Sequence, residues 1–315
     1  MKLSLIVPCF NEEGNVERFF NEVNRVFSGT IEDFGFIFIN DGSKDKTYFK
    51  LKELYEKNSE ADIQVLSFSR NFGKEAAIYA GLKAAKGDYA CIIDADLQQR
   101  PEVVLEMLRE IEADETIDCV TAYQEDRKEG AVLTKFKSAF YEIINKIAEV
   151  NFVNGASDFR LLNRKMIDAI ISMSEYHRFS KGIFSWVGFN TKYIPYEVQE
   201  REVGESKWSF FKLFKYAIEG IMAFSTLPLR LSTSVGFISA VGAIIYLIVV
   251  VLQKLISGID IPGYATIIVL ILFLGGMQLF CLGILGEYLS KVYVQVKNRP
   301  IYILKEHLKR NDNGN

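Results

Sequence analysis

Histidine and cysteine are scarce in this chain of 315 residues. Only two histidines are present, His177 and His307, which excludes a metal site built from several histidines. The four cysteines occur singly inside apolar runs, without a Cys-x-x-Cys pair. We therefore expect buried thiols of a reducing compartment and no disulfide framework. These cysteines are Cys9, Cys91, Cys119 and Cys281.

Two glycine-rich nucleotide-binding motifs are also missing. No Gly-x-Gly-x-x-Gly follows the first apolar run, and the chain contains no Gly-x-x-x-x-Gly-Lys-Ser/Thr. Both motifs hold phosphates on backbone N–H groups at the start of a helix. We therefore expect any nucleotide to be held by side chains and a metal ion.

An excess of positive charge is absent as well. The net charge is −3, which gives no support to a broad nucleic-acid surface. The charge is divided unevenly, because residues 231–315 carry seven Lys or Arg and four Asp or Glu, whereas residues 1–230 carry 30 and 36. The C-terminal third is basic and apolar, and the longer N-terminal part has the acidic composition of a water-soluble domain.

Two long stretches without a charged residue lie in the C-terminal third, at residues 231–252 and 261–286. About 20 helical residues cross a hydrocarbon layer of ~30 Å, so we predict two transmembrane helices. Cations cluster before the first stretch and after the second, while the intervening loop has only Lys254. By the positive-inside rule, we expect both termini in the cytoplasm and the intervening loop outside, in a multi-pass membrane protein. The apolar run at residues 3–7 is too short for a secretory signal, so no cleaved leader is expected.

Residues 1–205 alternate apolar runs with stretches of helical periodicity. The predicted strands cover residues 3–7, 34–40, 63–67, 89–94 and 118–122, and the predicted helices cover residues 12–27, 47–57, 74–85 and 101–111. Apolar strands alternating with helices predict an α/β domain with a mostly parallel, Rossmann-like sheet covered on both faces. Such sheets bind ligands at the carboxyl ends of their strands, where the polar clusters of this sequence lie.

Acidic residues follow two of the predicted strands. Asp94 and Asp96 come after a buried strand, with Gln98 two residues further on, and oxygen ligands of this kind suit Mg²⁺ or Mn²⁺ bound to a diphosphate. The other interpretation is a polar turn whose carboxylates cap the next helix. Asp41 ends the second strand and either accepts a hydrogen bond from a uracil-like base or belongs to an Asx turn in Asn-Asp-Gly-Ser.

Four motifs occur in one order along the chain: VPCFNEE at residues 7–13, NDGS at 40–43, DADLQ at 94–98 and REVGESKW at 201–208. Together they resemble the family 2 inverting glycosyltransferases of GT-A fold. The resemblance is closest to the polyprenyl-phosphate glycosyltransferases of the bactoprenol glucosyltransferase and dolichyl-phosphate mannose synthase type. With the two predicted spans, it extends over essentially the whole chain.

The resemblance implies roles for the donor-side residues. Those lining the nucleoside would be Pro8, Phe10, Glu12 and Asp41, with Phe10 where the family commonly has tyrosine. Those meeting the ribose and diphosphate would be Asp94, Ala95 and Asp96. Mg²⁺ or Mn²⁺ would be held by Asp96 and Gln98, and the diphosphate would be covered by Arg201 and Lys207. Lys74 either touches the donor or is a solvated cation, and we expect His177 to be a structural or surface group.

The acceptor side is assigned to cationic and apolar segments. Residues 135–147 and 207–221 combine an apolar helical stripe with lysines, a pattern typical of helices in the lipid headgroup zone, although core-facing helices are the other interpretation. We expect Arg127 to bind an acceptor phosphate, together with Lys135, Lys137 or Ser138.

Asp158 matches the family position usually proposed as the catalytic base. A phosphate monoester is already mostly ionised at neutral pH, so our hypothesis is that Asp158 orients the acceptor or stabilises charge at the anomeric carbon.

Together with the resemblance, these features predict inverting transfer of a hexose, glucose or N-acetylhexosamine, to undecaprenyl phosphate at the cytoplasmic face of a bacterial inner membrane. The resemblance alone favours a UDP-sugar as the donor. The alternatives are a GDP-mannose-dependent polyprenyl-phosphate mannose synthase and a non-catalytic nucleotide-sugar-binding membrane scaffold. A homo-oligomer, a separate flippase and a downstream glycosyltransferase are expected partners. The predicted domains are a catalytic domain (1–205), an interfacial helix region (206–230), a transmembrane hairpin (231–290) and a basic tail (291–315).

Overall fold

A computed structural model describes residues 2–124, 145, 156–197, 225–257 and 263–310. The chain forms two compact units. The first consists of Met1–Lys215 together with Arg299–Asn315, and the second consists of Tyr216–Asn298. The chain therefore returns to the first unit at Arg299, after the second unit.

The first unit is built on one eight-stranded sheet with the order β7-β5-β6-β4-β1-β2-β3-β8. Its strands are β1 (Leu3–Cys9), β2 (Phe34–Asn40), β3 (Asp62–Phe68), β4 (Tyr89–Ile92), β5 (Cys119–Gln124), β6 (Ala156–Asn163), β7 (Thr191–Tyr196) and β8 (Leu304–Leu308). The pairs β1–β2, β1–β4, β2–β3 and β5–β7 are parallel, and the other three pairs are antiparallel. The expected mostly parallel sheet is confirmed.

In the part of this unit that the structure describes, six helices accompany the strands. They are α1 (Val16–Phe27), α2 (Thr47–Lys57), α3 (Lys74–Ala84), α4 (Pro101–Ala113), α5 (Arg164–Ser172) and α6 (Ser180–Trp186). In α1 the apolar residues recur every three or four positions, so Phe19, Val23 and Phe27 lie on one buried face. Gly81 of α3 packs so closely that a Cβ atom there would lie 2.3 Å from Ile6 of β1, which permits tight helix–sheet contact.

The predicted strands and helices of residues 1–124 are all present, with ends shifted by a few residues. Strands β6, β7 and β8 and helices α5 and α6 were not predicted. Two of these strands lie at the sheet edges, where alternation of apolar residues is weak, as in LKEHL of β8. The sequence assigned residues 291–315 to a basic tail, whereas the structure adds Leu304–Leu308 to the sheet beside β3.

The second unit contains two long helices, α7 (Leu227–Ser257) and α8 (Tyr264–Val296). They pair as a hairpin in which the Ser239 hydroxyl donates to Met277 Sδ (2.9 Å) and the Tyr288 hydroxyl donates to the Ser225 carbonyl (2.7 Å). The segments Leu227–Gln253 and Thr266–Val296 have mean hydropathies of 2.8 and 2.6, and neither apolar segment is buried inside the protein. By length and composition both are candidate membrane spans, in agreement with the sequence.

Candidate active site

The described candidate residues that follow β1, β2 and β4, together with Asp158, come to one edge of the sheet. Strand β1 lies between β2 and β4, so the loops after these three parallel strands are neighbours. Strand β6 runs antiparallel to β4 with Arg160 opposite Ile92, which brings the start of β6 to the same edge. Asp41, Asp94 and Asp158 thus belong to one site although they are far apart in sequence.

The loop after β1 is held by hydrogen bonds to the loop after β2. The Asn11 amide donates to Ser43 Oγ (3.0 Å), the Lys44 amide donates to Asn11 Oδ1 (2.9 Å), and the Glu12 amide donates to Thr47 Oγ1 (2.8 Å). Asn11 adopts a left-handed φ of 58°, which turns the chain sharply after the strand. Pro8 and Glu12 are partly buried in this arrangement, while the Phe10 ring is 43% exposed.

Asp41 is buried at the end of β2, and its carboxylate organises the loop after β3. Oδ1 accepts from the Phe72 amide (2.6 Å) and Oδ2 accepts from the Gly73 amide (3.0 Å). Burial raises the pKa of Asp41, and the two amide donors and Arg70 offset part of that rise. A carboxylate has about four acceptor positions, so these two bonds leave Asp41 with acceptor capacity for a nucleobase.

Gly42 brings the same two loops into close contact. It has a φ of +62°, and a Cβ atom there would lie 2.3 Å from the Arg70 carbonyl carbon and 2.4 Å from the Asn71 nitrogen. Only glycine combines this conformation with such an approach of backbone to backbone. The Asx turn expected in Asn-Asp-Gly-Ser belongs to Asn40, whose side-chain oxygen accepts from the Ser43 amide (3.2 Å).

The acidic loop after β4 is a tight turn held by the Gln99 side chain and the Gln98 backbone amide. The Asp94 amide donates to Gln99 Oε1 (2.9 Å), and Gln99 Nε2 donates back to Asp94 Oδ2 (3.3 Å). The Gln98 amide donates to Asp96 Oδ1 (3.2 Å), and Leu97 has a left-handed φ of 59°. Ala95 and Gln99 are buried, whereas the three polar side chains Asp94, Asp96 and Gln98 are partly exposed.

The donor set of this turn suits a magnesium-like ion. Asp96 and Gln98 provide a carboxylate and an amide oxygen two residues apart in one turn, where the Gln98 backbone amide donates to Asp96 Oδ1. Within the described ranges, no group of three or more His, Cys, Asp or Glu side chains forms a metal site. Mg²⁺ commonly takes only one or two carboxylates and completes its shell with water and substrate phosphates, so a sparse oxygen set fits it.

Lys74, the first residue of α3, bridges two acidic residues of the site. Its ammonium lies 2.7 Å from Asp94 Oδ1 and 3.5 Å from Asp158 Oδ2. Burial acts to lower the pKa of Lys74, but Asp94 and Asp158 together raise it above the usual value. Lys74 is therefore an ion-paired residue of the site and not simply a solvated loop cation.

Asp158 stays ionised in spite of burial. Burial acts to raise its pKa, but Lys74, Lys181 and Arg160 outweigh that effect and lower the pKa below its usual value. Its Oδ1 atom is inaccessible and makes no hydrogen bond to the described part of the chain. The Asp158 charge is thus stabilised mainly by surrounding cations.

Further charged residues of this cluster were missed from the sequence. Glu75 Oε2 accepts from the Ser180 amide (2.9 Å) and hydroxyl, which fixes the start of α6 and hence Lys181. Burial raises the pKa of Glu75 and lowers that of Lys181. Arg160 is buried with its guanidinium 3.9 Å from the centre of the Phe184 ring. The sequence signal for Arg160 was its spacing from Asp158, because residues two apart in a strand lie on the same face.

Several predicted site residues lie outside the described residues: Arg127, Lys135, Lys137, Ser138, Arg201 and Lys207. Most of the two lysine-bearing amphipathic stretches, at 135–147 and 207–221, lies there too. His177 is exposed, with its ring in edge contact with Tyr176 (5.4 Å between centroids), as expected of a surface group. Cys9, Cys91 and Cys119 are buried free thiols as predicted, whereas Cys281 in α8 is only partly buried.

Comparison with known proteins identifies two families along the chain. The family described as Glycosyl transferase family 2 matches residues 4–171, and the family described as GtrB C-terminal hairpin matches residues 227–292. The putative glycosyltransferase CsbB of Bacillus subtilis (strain 168) is 42% identical over 304 residues, which cover 96% of this chain and 91% of that protein. The SfII prophage-derived bactoprenol glucosyl transferase of Shigella flexneri is 40% identical over 307 residues, covering 97% and 98%.

A solved structure also aligns with the chain. It is glucosyl-3-phosphoglycerate synthase from Mycobacterium tuberculosis, in complex with Mn²⁺, UDP-glucose and phosphoglyceric acid. The alignment has 17% identity and a TM-score of 0.46, and it covers 70% of this chain and 77% of that one.

Proposed function

The chain belongs to glycosyl transferase family 2, and from that membership we propose that it transfers a hexose from a UDP-sugar to polyprenyl phosphate. The observation that carries the proposal is at the carboxyl edge of the sheet, where Lys74 pairs with Asp94 and Asp158 and the amide before it donates to Asp41. The apolar hairpin of the second unit supports a lipid acceptor, as do relatives that cover nearly the whole chain and are named bactoprenol glucosyl transferases. Glucose is the favoured sugar for the same reason.

The loops after β1 and β2 would bind the nucleoside. The exposed Phe10 ring offers a face for the base, and Asp41 offers acceptor capacity for its N–H. Pro8 and Glu12 lie on either side of Phe10 along the chain, and the Glu12 amide donates to Thr47 Oγ1. The ribose and diphosphate would meet Asp94, Ala95 and Asp96, and Arg201 and Lys207 would cover the diphosphate.

Asp96 and Gln98 would hold Mg²⁺ or Mn²⁺. Such an ion neutralises charge that develops on the leaving diphosphate. Both residues lie in the tight turn after β4 and their side chains are partly exposed, which supports this assignment.

The acceptor phosphate would bind Arg127 with Lys135 or Ser138 and approach the sugar from the side of Asp158. The lowered pKa of Asp158 makes it a weak base, and efficient general bases have a pKa near the working pH. A phosphate monoester has a second pKa near 6 and needs no base at neutral pH. We therefore assign Asp158 to orientation of the acceptor and stabilisation of positive charge at the anomeric carbon.

A single displacement by the phosphate oxygen would invert the anomeric configuration. An α-linked donor such as UDP-glucose would give a β-linked polyprenyl monophosphate sugar, which NMR of the isolated lipid identifies. An α-linked product, or a sugar trapped on the protein, would contradict the single displacement.

We place both termini and the catalytic unit in the cytoplasm, with α7 and α8 spanning the bacterial inner membrane. The product would then be released in the cytoplasmic leaflet, which calls for a separate flippase and a downstream glycosyltransferase. A tag inserted at residues 257–260 is expected to be labelled from outside intact cells, and a reporter after Asn315 is expected to report a cytoplasmic location. A tag that is labelled only after lysis would contradict the two-span arrangement.

The function is tested with the full-length protein in lipid nanodiscs that contain undecaprenyl phosphate. UDP-glucose, UDP-N-acetylglucosamine, UDP-galactose and GDP-mannose are supplied separately, and the lipid product is identified by mass spectrometry. We expect a polyprenyl monophosphate hexose with UDP-glucose and a strongly reduced yield with the Asp96→Asn variant. Transfer from GDP-mannose alone would replace the donor assignment, and no lipid product with any donor would refute the proposal.

A further inference from the structure

The chain beyond the second apolar helix packs against the loop that carries Lys74. We call residues 69–74, between β3 and α3, the lysine loop. After α8 ends at Val296, five residues lead to Tyr302, and β8 then pairs antiparallel with β3. The Ser69 amide, at the start of the lysine loop, donates to the Ile303 carbonyl (2.9 Å).

Tyr302 connects the two ends of the lysine loop. Its ring stacks on Phe68, the last residue of β3, with centroids 5.0 Å apart and planes inclined by 16°. It also meets Tyr79 of α3 edge-on at 6.4 Å, and Phe68 in turn contacts Phe72 inside the loop at 5.7 Å. One tyrosine from the C-terminal segment thus touches the strand before the loop and the helix after it.

Further hydrogen bonds within the first unit hold the rest of the segment that follows Tyr302. The Tyr48 hydroxyl donates to the Glu306 carboxylate. The Arg310 guanidinium donates to four carbonyl oxygens at 2.5–2.9 Å, those of Tyr55, Asn58, Ser59 and Ala61, around the end of α2. This set of bonds holds Tyr302 in place from the far end of the strand.

The lysine loop is the structure through which these contacts reach the site. Its Phe72 and Gly73 amides donate to Asp41, its backbone packs on Gly42, and Lys74 pairs with Asp94 and Asp158. We propose that Tyr302 is a positioning residue for the donor site, and that the Tyr302–Arg310 segment keeps the lysine loop in the conformation that orients Asp41 and Lys74. This assignment rests on the proposed function only in naming the nucleotide sugar as the ligand.

The test uses the full-length protein in nanodiscs and three variants. Tyr302→Ala removes the ring, Tyr302→Phe keeps it, and Phe49→Ala removes an aromatic ring that is 69% exposed on α2 of the same unit. The first readout is hydrogen exchange of the amides of residues 69–74, which needs no substrate. The second is KM for UDP-glucose set against kcat and against KM for the lipid acceptor.

We expect Tyr302→Ala to speed exchange of the lysine-loop amides by roughly tenfold, as loss of two aromatic contacts predicts. The same variant should raise the donor KM by a similar factor and leave the acceptor KM unchanged. Tyr302→Phe and Phe49→Ala should behave as the unmodified protein. If the alanine variant does not fold, Tyr302→Leu keeps most of the apolar volume while removing the stacked ring.

Unchanged exchange in the lysine loop together with an unchanged donor KM would overturn the proposal. Faster exchange spread evenly over β1 and β2 would also overturn it, because that outcome indicates a purely structural role. If the unmodified protein transfers no sugar, the proposed function fails, but the exchange experiment still decides whether Tyr302 positions the loop.

Discussion

The two sides of the site hold their carboxylates in opposite ways. On the nucleoside side, Asp41 accepts two backbone amides at 2.6 and 3.0 Å and has a raised pKa because burial dominates. On the acceptor side, Asp158 is surrounded by the cations of Lys74, Lys181 and Arg160 and has a lowered pKa. Backbone donors are fixed by the fold, whereas long cationic side chains can change partners. With the roles proposed above, the nucleoside side would keep a constant shape, and the acceptor side would exchange charges when anionic substrates arrive.

The two sides also differ in how protonation affects stability. Asp158 has a folded-state pKa below its unfolded value, so its contribution to folding is present above the unfolded pKa and is lost as the pH falls through the folded value. Asp41 has a raised pKa, so its contribution is complete below the unfolded pKa and is lost as the pH rises through the folded value.

The largest expected effect tests the metal on the leaving-group side. Chelation should abolish transfer, and Mg²⁺ or Mn²⁺ should restore it, because the ion stabilises the departing diphosphate. Asp96→Asn should cost about 3–4 kcal/mol of transition-state stabilisation, as other lost electrostatic groups do. The measurement is kcat/KM for transfer, with binding of the metal followed separately by calorimetry. Full activity in excess chelator would refute the assignment of Asp96 and Gln98.

Asp158→Asn comes next and tests the role of the ion-paired carboxylate. We expect kcat to fall by about 100-fold at every pH from 6 to 8.5, the size of a lost electrostatic contact in a closed site. An orienting charge is needed whether or not the acceptor carries a proton. A loss confined to low pH, where the acceptor phosphate is protonated, would instead show that Asp158 is a general base.

Lys74→Met removes the cation between Asp94 and Asp158 and should have a smaller effect. Asp94 and Asp158 would then lose the cation between them while Lys181 and Arg160 remain near Asp158, so the pKa of Asp158 should rise. We expect kcat/KM to fall by about 10- to 100-fold, the equivalent of about 1.4–2.8 kcal/mol. Lys74→Arg keeps the charge and is the matched control. Equal activity of the Met and Arg variants would show that the bridge has no role in transfer.

The smallest effect is expected from Gly42→Ala, which tests the backbone-organised side. The added Cβ would lie 2.3 Å from the Arg70 carbonyl carbon, so the lysine loop must move, at a cost of about 1–3 kcal/mol of unfolding free energy. Gly29→Ala is the matched control, because Gly29 has a similar φ of +72° with nothing within 4 Å of its Cβ position. Denaturant unfolding measures both. A difference of less than about 0.5 kcal/mol between the variants would refute the close approach, since changes at unremarkable sites stay within that range.

Asp41, Asp94 and Asp96 were identified as candidates from their positions after predicted strands, and the structure places all three at the carboxyl edge of the sheet. The two apolar stretches likewise predicted the hairpin, because about 20 uncharged residues form a local signal. From the sequence, Lys74 either touches the donor or is a solvated cation. A loop lysine has no sequence signature of its partners, and Asp158 reaches it only through the antiparallel pairing of β6 with β4.

The sequence by itself determined the alternating α/β pattern, the apolar hairpin and the chemistry available at the strand ends, because these depend on neighbouring residues and on periodicity. Tertiary structure alone decided which charges meet and where the C-terminal segment goes. Tyr302 stacks on Phe68, and Arg310 closes over the end of α2, across more than 230 residues of chain. Such pairings depend on strand order and on the packing of distant side chains, which local propensity does not specify.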